Sequence, residues 1–149
     1  MDILTDIIRI LVIGLGTGLL GIPFEAGKED LPINALLGSI TFGTYFYINQ
    51  LTHNVILATF IGTLALSFLA TYLTRKTKKP LQVFLVTAII PLVPGYNLFK
   101  MVQSFLGGEY GDALLNMTLM IQLLSVIVLS TVIASSFTKM LKYLKIGIR

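Results

Sequence analysis

The sequence predicts an all-α integral membrane protein of about five transmembrane helices, the fourth broken at a mid-membrane Pro-x-x-Pro-Gly motif. Three observations carry that expectation. Of 149 residues, 55% are hydrophobic and only 12% charged, with mean hydropathy +0.87, whereas a soluble domain is typically about 25% charged. The apolar residues gather into runs long enough to cross a bilayer, for which roughly 20 suffice. One of them, residues 80–107, is interrupted near its middle by Pro91-Leu92-Val93-Pro94-Gly95.

The first span covers about residues 3–24. Asp2 and Asp6 stand at its start and Arg9 is its one basic residue. A signal peptide would have a basic start, a shorter apolar region and a small-residue cleavage site, so a retained span is expected. Within it, Gly16-Thr17-Gly18-Leu19-Leu20-Gly21 matches G-x-G-x-x-G. That fingerprint binds dinucleotides only after a strand and inside a βαβ unit, and no strand precedes it. Gly14/Gly18 and Thr17/Gly21 read instead as small-residue pairs four apart, which let membrane helices approach closely. Ser39/Gly43, Ala58/Gly62 and Ser130/Ala134 repeat the spacing.

The second span, about 32–51, carries Asn34, Ser39, Thr41, Thr44, Asn49 and Gln50, with Phe42, Tyr45, Phe46 and Tyr47 bunched toward one end. Clustered aromatics fit a membrane–water interface, and the polar content predicts a helix shielded by protein. The third span, about 54–74, the fourth, about 81–107, and the fifth, about 113–137, follow after short connections. Residues 1–149 therefore read as a single transmembrane domain.

Net charge is +4, gathered mainly at Arg75, Lys76, Lys78 and Lys79 and at Lys139, Lys142, Lys145 and Arg149. Both clusters flank apolar spans, the pattern of cytoplasmic anchoring, and neither is interleaved with aromatics as a nucleic-acid stacking platform is. The basic balance is topological. It places the Arg75–Lys79 loop and the C-terminus inside, and five spans then put the N-terminus and the Gly107–Asp112 loop outside, in the plasma (inner) membrane. His53 stands alone and cysteine is absent, so no metal set or thiolate chemistry is expected. No nucleophile–base pair is evident; neither an enzyme nor a cofactor protein is predicted.

The break is the strongest functional pointer. Each proline lacks an N–H and displaces the carbonyl four residues back, here those of Thr87 and Ile90. Non-helical backbone at membrane depth is tolerated only against protein or a polar cavity, and transporters place substrates at such breaks. Pro91 lies ten residues past Leu81, about 15 Å at 1.5 Å per residue, close to half of a bilayer core of about 30 Å. A helix restarting after Gly95 turns unpaired N–H groups and its positive dipole end toward the membrane centre, which suits a carboxylate. Tyr96, Asn97, Lys100, Gln103 and Ser104 fall along one side of that helix. Pro91, Pro94, Gly95, Tyr96, Asn97 and Lys100 are the candidate substrate-binding residues. Lys100 has two readings, substrate contact or snorkelling to the outer interface. Glu25, at the inner end of the first span, is the proton-coupling candidate, while Glu29 and Asp30 read as solvated loop residues.

Thr87-Ala88-Ile89-Ile90-Pro91-Leu92-Val93-Pro94-Gly95, together with Ala35-Leu36-Leu37-Gly38 and five spans in a chain of this size, resembles the threonine/serine exporter family. More closely, the chain is similar to the small, second-half subunit of its two-component form. The resemblance implies alternating-access export of small carboxylate metabolites, threonine and serine in the type members, coupled to the proton gradient as antiport. Its motif residues carry over as Pro91, Pro94 and Gly95. It also implies a larger five-span partner with a cytoplasmic N-terminal region. Where relatives show Phe-Asn-x-Pro this chain has Phe24-Glu25-Ala26-Gly27, a carboxylate in place of an amide. Alternatives are a dicarboxylate (succinate-type) exporter subunit and a non-transporting membrane scaffold; the small-residue faces also suit a homo-oligomer.

The topology is testable because the chain has no cysteine of its own. With single cysteines introduced in place of Thr77 and Tyr110, an impermeant thiol reagent added to intact cells should label position 110 and spare position 77.

Overall fold

The computed structural model describes residues 3–24 and 26–146, and these are helical with short connections. Helix α1 (Ile3–Leu19) passes through a 3₁₀ turn (Ile22–Phe24) into a loop before α2 (Leu31–Thr52). Then come α3 (Val55–Thr77), α4 (Leu81–Ile89), a 3₁₀ turn (Ile90–Leu92), α5 (Gly95–Leu106) and α6 (Tyr110–Ile146). Among the described residues four helices are long and apolar enough to span a membrane, five when the α4–α5 pair, bent by 51°, is counted as one broken span. That is the expected class: all-helical, multi-spanning, with the fourth span broken.

Helix α2 is the hub, packed against α1, α3 and α4. Its polar side chains accordingly face protein: Asn34 and Thr41 are fully buried. The Thr41 and Thr44 hydroxyls donate to the carbonyls of Leu37 and Ile40 four residues back, so that these polar atoms are satisfied without water. Leu37, Leu66, Ala70, Phe84 and Ala88 form the core where α2, α3 and α4 meet.

Small residues set how closely the helices approach, as their spacing predicts. On the α1–α2 seam, a Cβ at Gly14 would strike Ser39, and one at Gly18 would lie 2.8 Å from the Leu31 carbonyl and 2.9 Å from the Ala35 Cβ. Gly38 faces Thr17, whose side-chain atoms would sit within 2.6 Å of an added Cβ. Ala58 and Gly62 are buried on α3, and Ser130 and Ala134 on α6.

Helices α3 and α6 lie side by side and run in the same direction. Ser67 meets Thr131 (3.4 Å), Phe68 meets Phe137 edge-on (5.9 Å between centroids), and the Arg75 guanidinium donates to the Thr138 carbonyl (2.9 Å). The ends of α3 and α6 therefore share one face of the bundle, and the Arg75–Lys79 cluster lies with Lys139. Helix α6 is longer than the span read from sequence: it starts at Tyr110, so that Asp112 is in its first turn, and continues to Ile146. His53 ends α2 as an exposed left-handed cap (φ 51°), its N–H bonded to the Asn49 carbonyl.

Gly38→Ala should destabilise the chain by about 1–3 kcal/mol, because Thr17 is short, branched and unable to move aside. Gly16→Ala, on the open side of α1 with nothing within 4 Å, should be neutral or stabilising. Thermal unfolding of detergent-extracted protein distinguishes the two.

Candidate functional site

Two proline-bearing turns bring α4 to an end and start α5. The carbonyl of Ile90, which the missing N–H of Pro94 leaves free, accepts from Val93 N–H (3.1 Å). Gly95 N–H turns back to the Val93 carbonyl (2.7 Å), and Leu98 N–H closes the first α5 turn onto Pro94 (3.1 Å). Among the described residues, the N–H groups of Tyr96 and Asn97 have no such partner. They lie in the first turn of α5, at the positive end of its dipole. Leu92 is buried and holds the break against the bundle, 3.5 Å from where a Cβ on Gly62 would be.

Around this turn Pro94 is buried and Pro91 half-buried, while Gly95 is exposed and would meet nothing within 4 Å if given a Cβ. The glycine is thus not demanded by packing within this chain. Tyr96 is 70% exposed and Asn97 half-buried. Lys100 reaches back one turn toward the break, its Nζ 6.0 Å from the Tyr96 ring centroid, as the N-terminal lean of helix side chains requires. It also lines a polar cavity of about 360 Å³ at the α5–α6 turn, with Glu109, Asp112 and Asn116 among its walls. Helix α5 packs against α6 and is the most two-sided of the long helices.

A second polar site lies at the opposite end of α4. The Lys79 ammonium sits 2.7 and 2.8 Å from the two carboxylate oxygens of Asp30, and Gly27 N–H donates to the same carboxylate (3.1 Å). Asp30 is 98% buried and the Lys79 side chain 35% exposed. This corrects the reading of Asp30 as a solvated loop residue and of Lys79 as purely topological. The local sequence contained a partial signal. Asp30 precedes Leu31-Pro32, an N-cap position before a first-turn proline. Yet its side chain makes no capping bond to α2 and turns instead to the α3–α4 connection, a long-range pairing that spacing does not reveal. Asn34, one turn on, donates to the Val83 carbonyl (3.1 Å) and leaves its Oδ1 buried without a partner.

Asp30 and Lys79 both line a cavity of about 450 Å³, together with Phe24, Gly27, Pro80, Gln82, Val83 and Val86. Ligand pockets typically measure about 300–1,000 Å³. Gln82, Val83 and Val86 run along α4, and the break begins at Ile90, one turn beyond Val86. Glu25 lies outside the described residues.

A span broken at paired prolines is an arrangement that many transporters use at their solute sites. The family model described as "Threonine/Serine exporter, ThrE" matches residues 9–137, and the chain belongs to that family, which assigns it an exporter role. No curated protein and no solved structure matches the chain significantly.

The ion pair is asymmetric, and its variants should be too. Lys79→Met strands a carboxylate that is almost wholly buried, a loss of about 3–5 kcal/mol where such a pair is broken. Asp30→Asn keeps an acceptor for Gly27 N–H and leaves an ammonium that already touches solvent, so it should cost clearly less. The order of midpoint temperatures in detergent, wild type above Asp30→Asn above Lys79→Met, checks this.

Proposed function

We propose that this chain is one half of a two-component exporter of small carboxylate metabolites, threonine and serine foremost, working by alternating access in the plasma membrane. The observation that carries the reading is the start of α5. Two backbone N–H groups without partners, those of Tyr96 and Asn97, stand at a helix N-terminus where a span is broken. Anions are stabilised at such termini, and a substrate carboxylate fits the donors. Pro91 and Pro94 hold the turn open, Gly95 leaves it unobstructed, and Tyr96, Asn97 and Lys100 extend the polar surface along α5.

The same helix supports a partner. Tyr96 and Gln103 are exposed, and Asn97 and Lys100 are only half-buried. Lipid does not accommodate such a stripe well, and a second five-span body with a cytoplasmic N-terminal region completes the enclosure. The positive-inside rule, applied to the basic clusters, supports a cytoplasmic position for the shared ends of α3 and α6. Proton coupling through Glu25 accounts for a carboxylate at the inner end of the first span. The rival reading, a dicarboxylate exporter, shares the anion site and differs in the second charge of the cargo; a pure scaffold needs no polar stripe.

Efflux of labelled threonine, serine and succinate from cells expressing the chain with and without the proposed larger subunit tests the proposal. Export should require both chains and favour threonine and serine. Asn97→Ala and Gly95→Val should assemble with the partner at wild-type levels and export about ten- to a hundredfold more slowly, the equivalent of a charge-assisted hydrogen bond worth about 1.5–3 kcal/mol. Unchanged rates in both variants would reduce the break to a packing kink.

A further inference from the structure

The cavity at the start of α4 is distinct from the break, and its chemistry is more selective. Its polar wall is an ion pair, one carboxylate and one ammonium in mutual contact through both oxygens. Phe24, Pro80, Val83 and Val86 supply the apolar remainder and Gln82 an amide. The pair joins the α1–α2 loop to the α3–α4 connection, so the two segments separate only if it opens. Opening it alone leaves Asp30 buried and uncompensated, which is strongly unfavourable.

We propose that this cavity is the cytoplasmic entry site for a zwitterionic amino acid, and that the Asp30–Lys79 pair is the gate the substrate opens. The inference rests on the exporter reading and goes beyond it, since it names a second site and a charge rule for admission. An amino acid carries both charges the pair needs. Its carboxylate takes over Lys79 and its ammonium takes over Asp30, so that neither buried group is left unpaired while the loops part. A dicarboxylate satisfies Lys79 but brings a second negative charge to Asp30. An amine lacking the carboxylate satisfies Asp30 alone. Discrimination therefore arises from the unpaired charge that a wrong ligand leaves behind. The gate also has a direction. Gln82, Val83 and Val86 carry the cavity along α4 to within a turn of Ile90, so a substrate admitted here faces the break next. Exposed Arg75, Lys76 and Lys78 precede Lys79 at this end of the bundle, while exposed Lys28 and Glu29 flank Asp30, so both charges of a zwitterion meet a counter-charge on the way in.

Inside-out vesicles containing the chain and its larger partner test this, with one cysteine introduced as Gln82→Cys in the cavity wall or as Lys76→Cys on the exposed end of α3. The rate of reaction with an impermeant maleimide is read with threonine, N-acetylthreonine, threonine methyl ester or succinate added. Threonine should slow labelling of Gln82→Cys at least threefold, the three other compounds should leave it unchanged, and Lys76→Cys should respond to none. Equal protection by succinate or by either blocked derivative would overturn the charge rule. A cysteine at position 82 that never reacts would overturn the entry site. Absence of threonine protection, while vesicles with the unsubstituted chain accumulate threonine, would overturn the gate and leave the exporter reading standing. Vesicles that neither accumulate threonine nor show protection would sink both.

Discussion

Inside a bilayer no water is available to pair backbone N–H and C=O groups, and the departure from helix between α4 and α5 answers to that constraint. The carbonyl that Pro94 would strand at Ile90 is taken by Val93 N–H, and the 3₁₀ turn from Ile90 to Leu92 is the geometry that allows it. Buried hydroxyls at Thr17, Thr41, Thr59 and Thr87 return their protons to carbonyls earlier in their own helices. Asn34 donates across to the Val83 carbonyl on α4. The N–H groups of Tyr96 and Asn97 are without backbone partners, as the first turn of a helix leaves them, and they differ from those of the other helices in following the break.

Helix α4 links the two polar sites because it is fixed at both ends. At its start Lys79 is held by Asp30, and at its finish Leu92 is seated against Gly62. Between these anchors its core face, Phe84 and Ala88, is fully buried against α2 and α3. Close packing of this face holds α4 in one position between the two sites.

Helices α5 and α6 are differently supported. The body of the protein is α1 to α4, with α6 laid along α3 and α5 held against α6. Phe105 packs edge-on against Tyr110 (5.6 Å between centroids) at their turn, while Tyr96, Phe99 and Phe105 remain largely exposed. Apolar exposure by itself is what lipid contact demands. Polar side chains on the same helix are not, and they are the ground on which a partner is proposed there.

The sequence by itself determined the class, the place of the break and the small-residue seams. Hydropathy, proline chemistry and four-residue spacing are local properties, and they survive whatever the helices later pack against. Pro91 and Pro94 forbid a continuous helix wherever they sit, and Gly14, Gly18 and Gly38 announce a close approach before its partner is known. Tertiary structure alone decided which residues meet. Asp30 and Lys79 are 49 positions apart, each beside charged neighbours that remain exposed, and nothing in their spacing singles them out. It also decided that Gly95 faces open space and that Lys100 leans toward Tyr96. The reason is physical: a helix specifies its own hydrogen bonds, but the partner of a buried charge is fixed only when two distant loops are folded against each other.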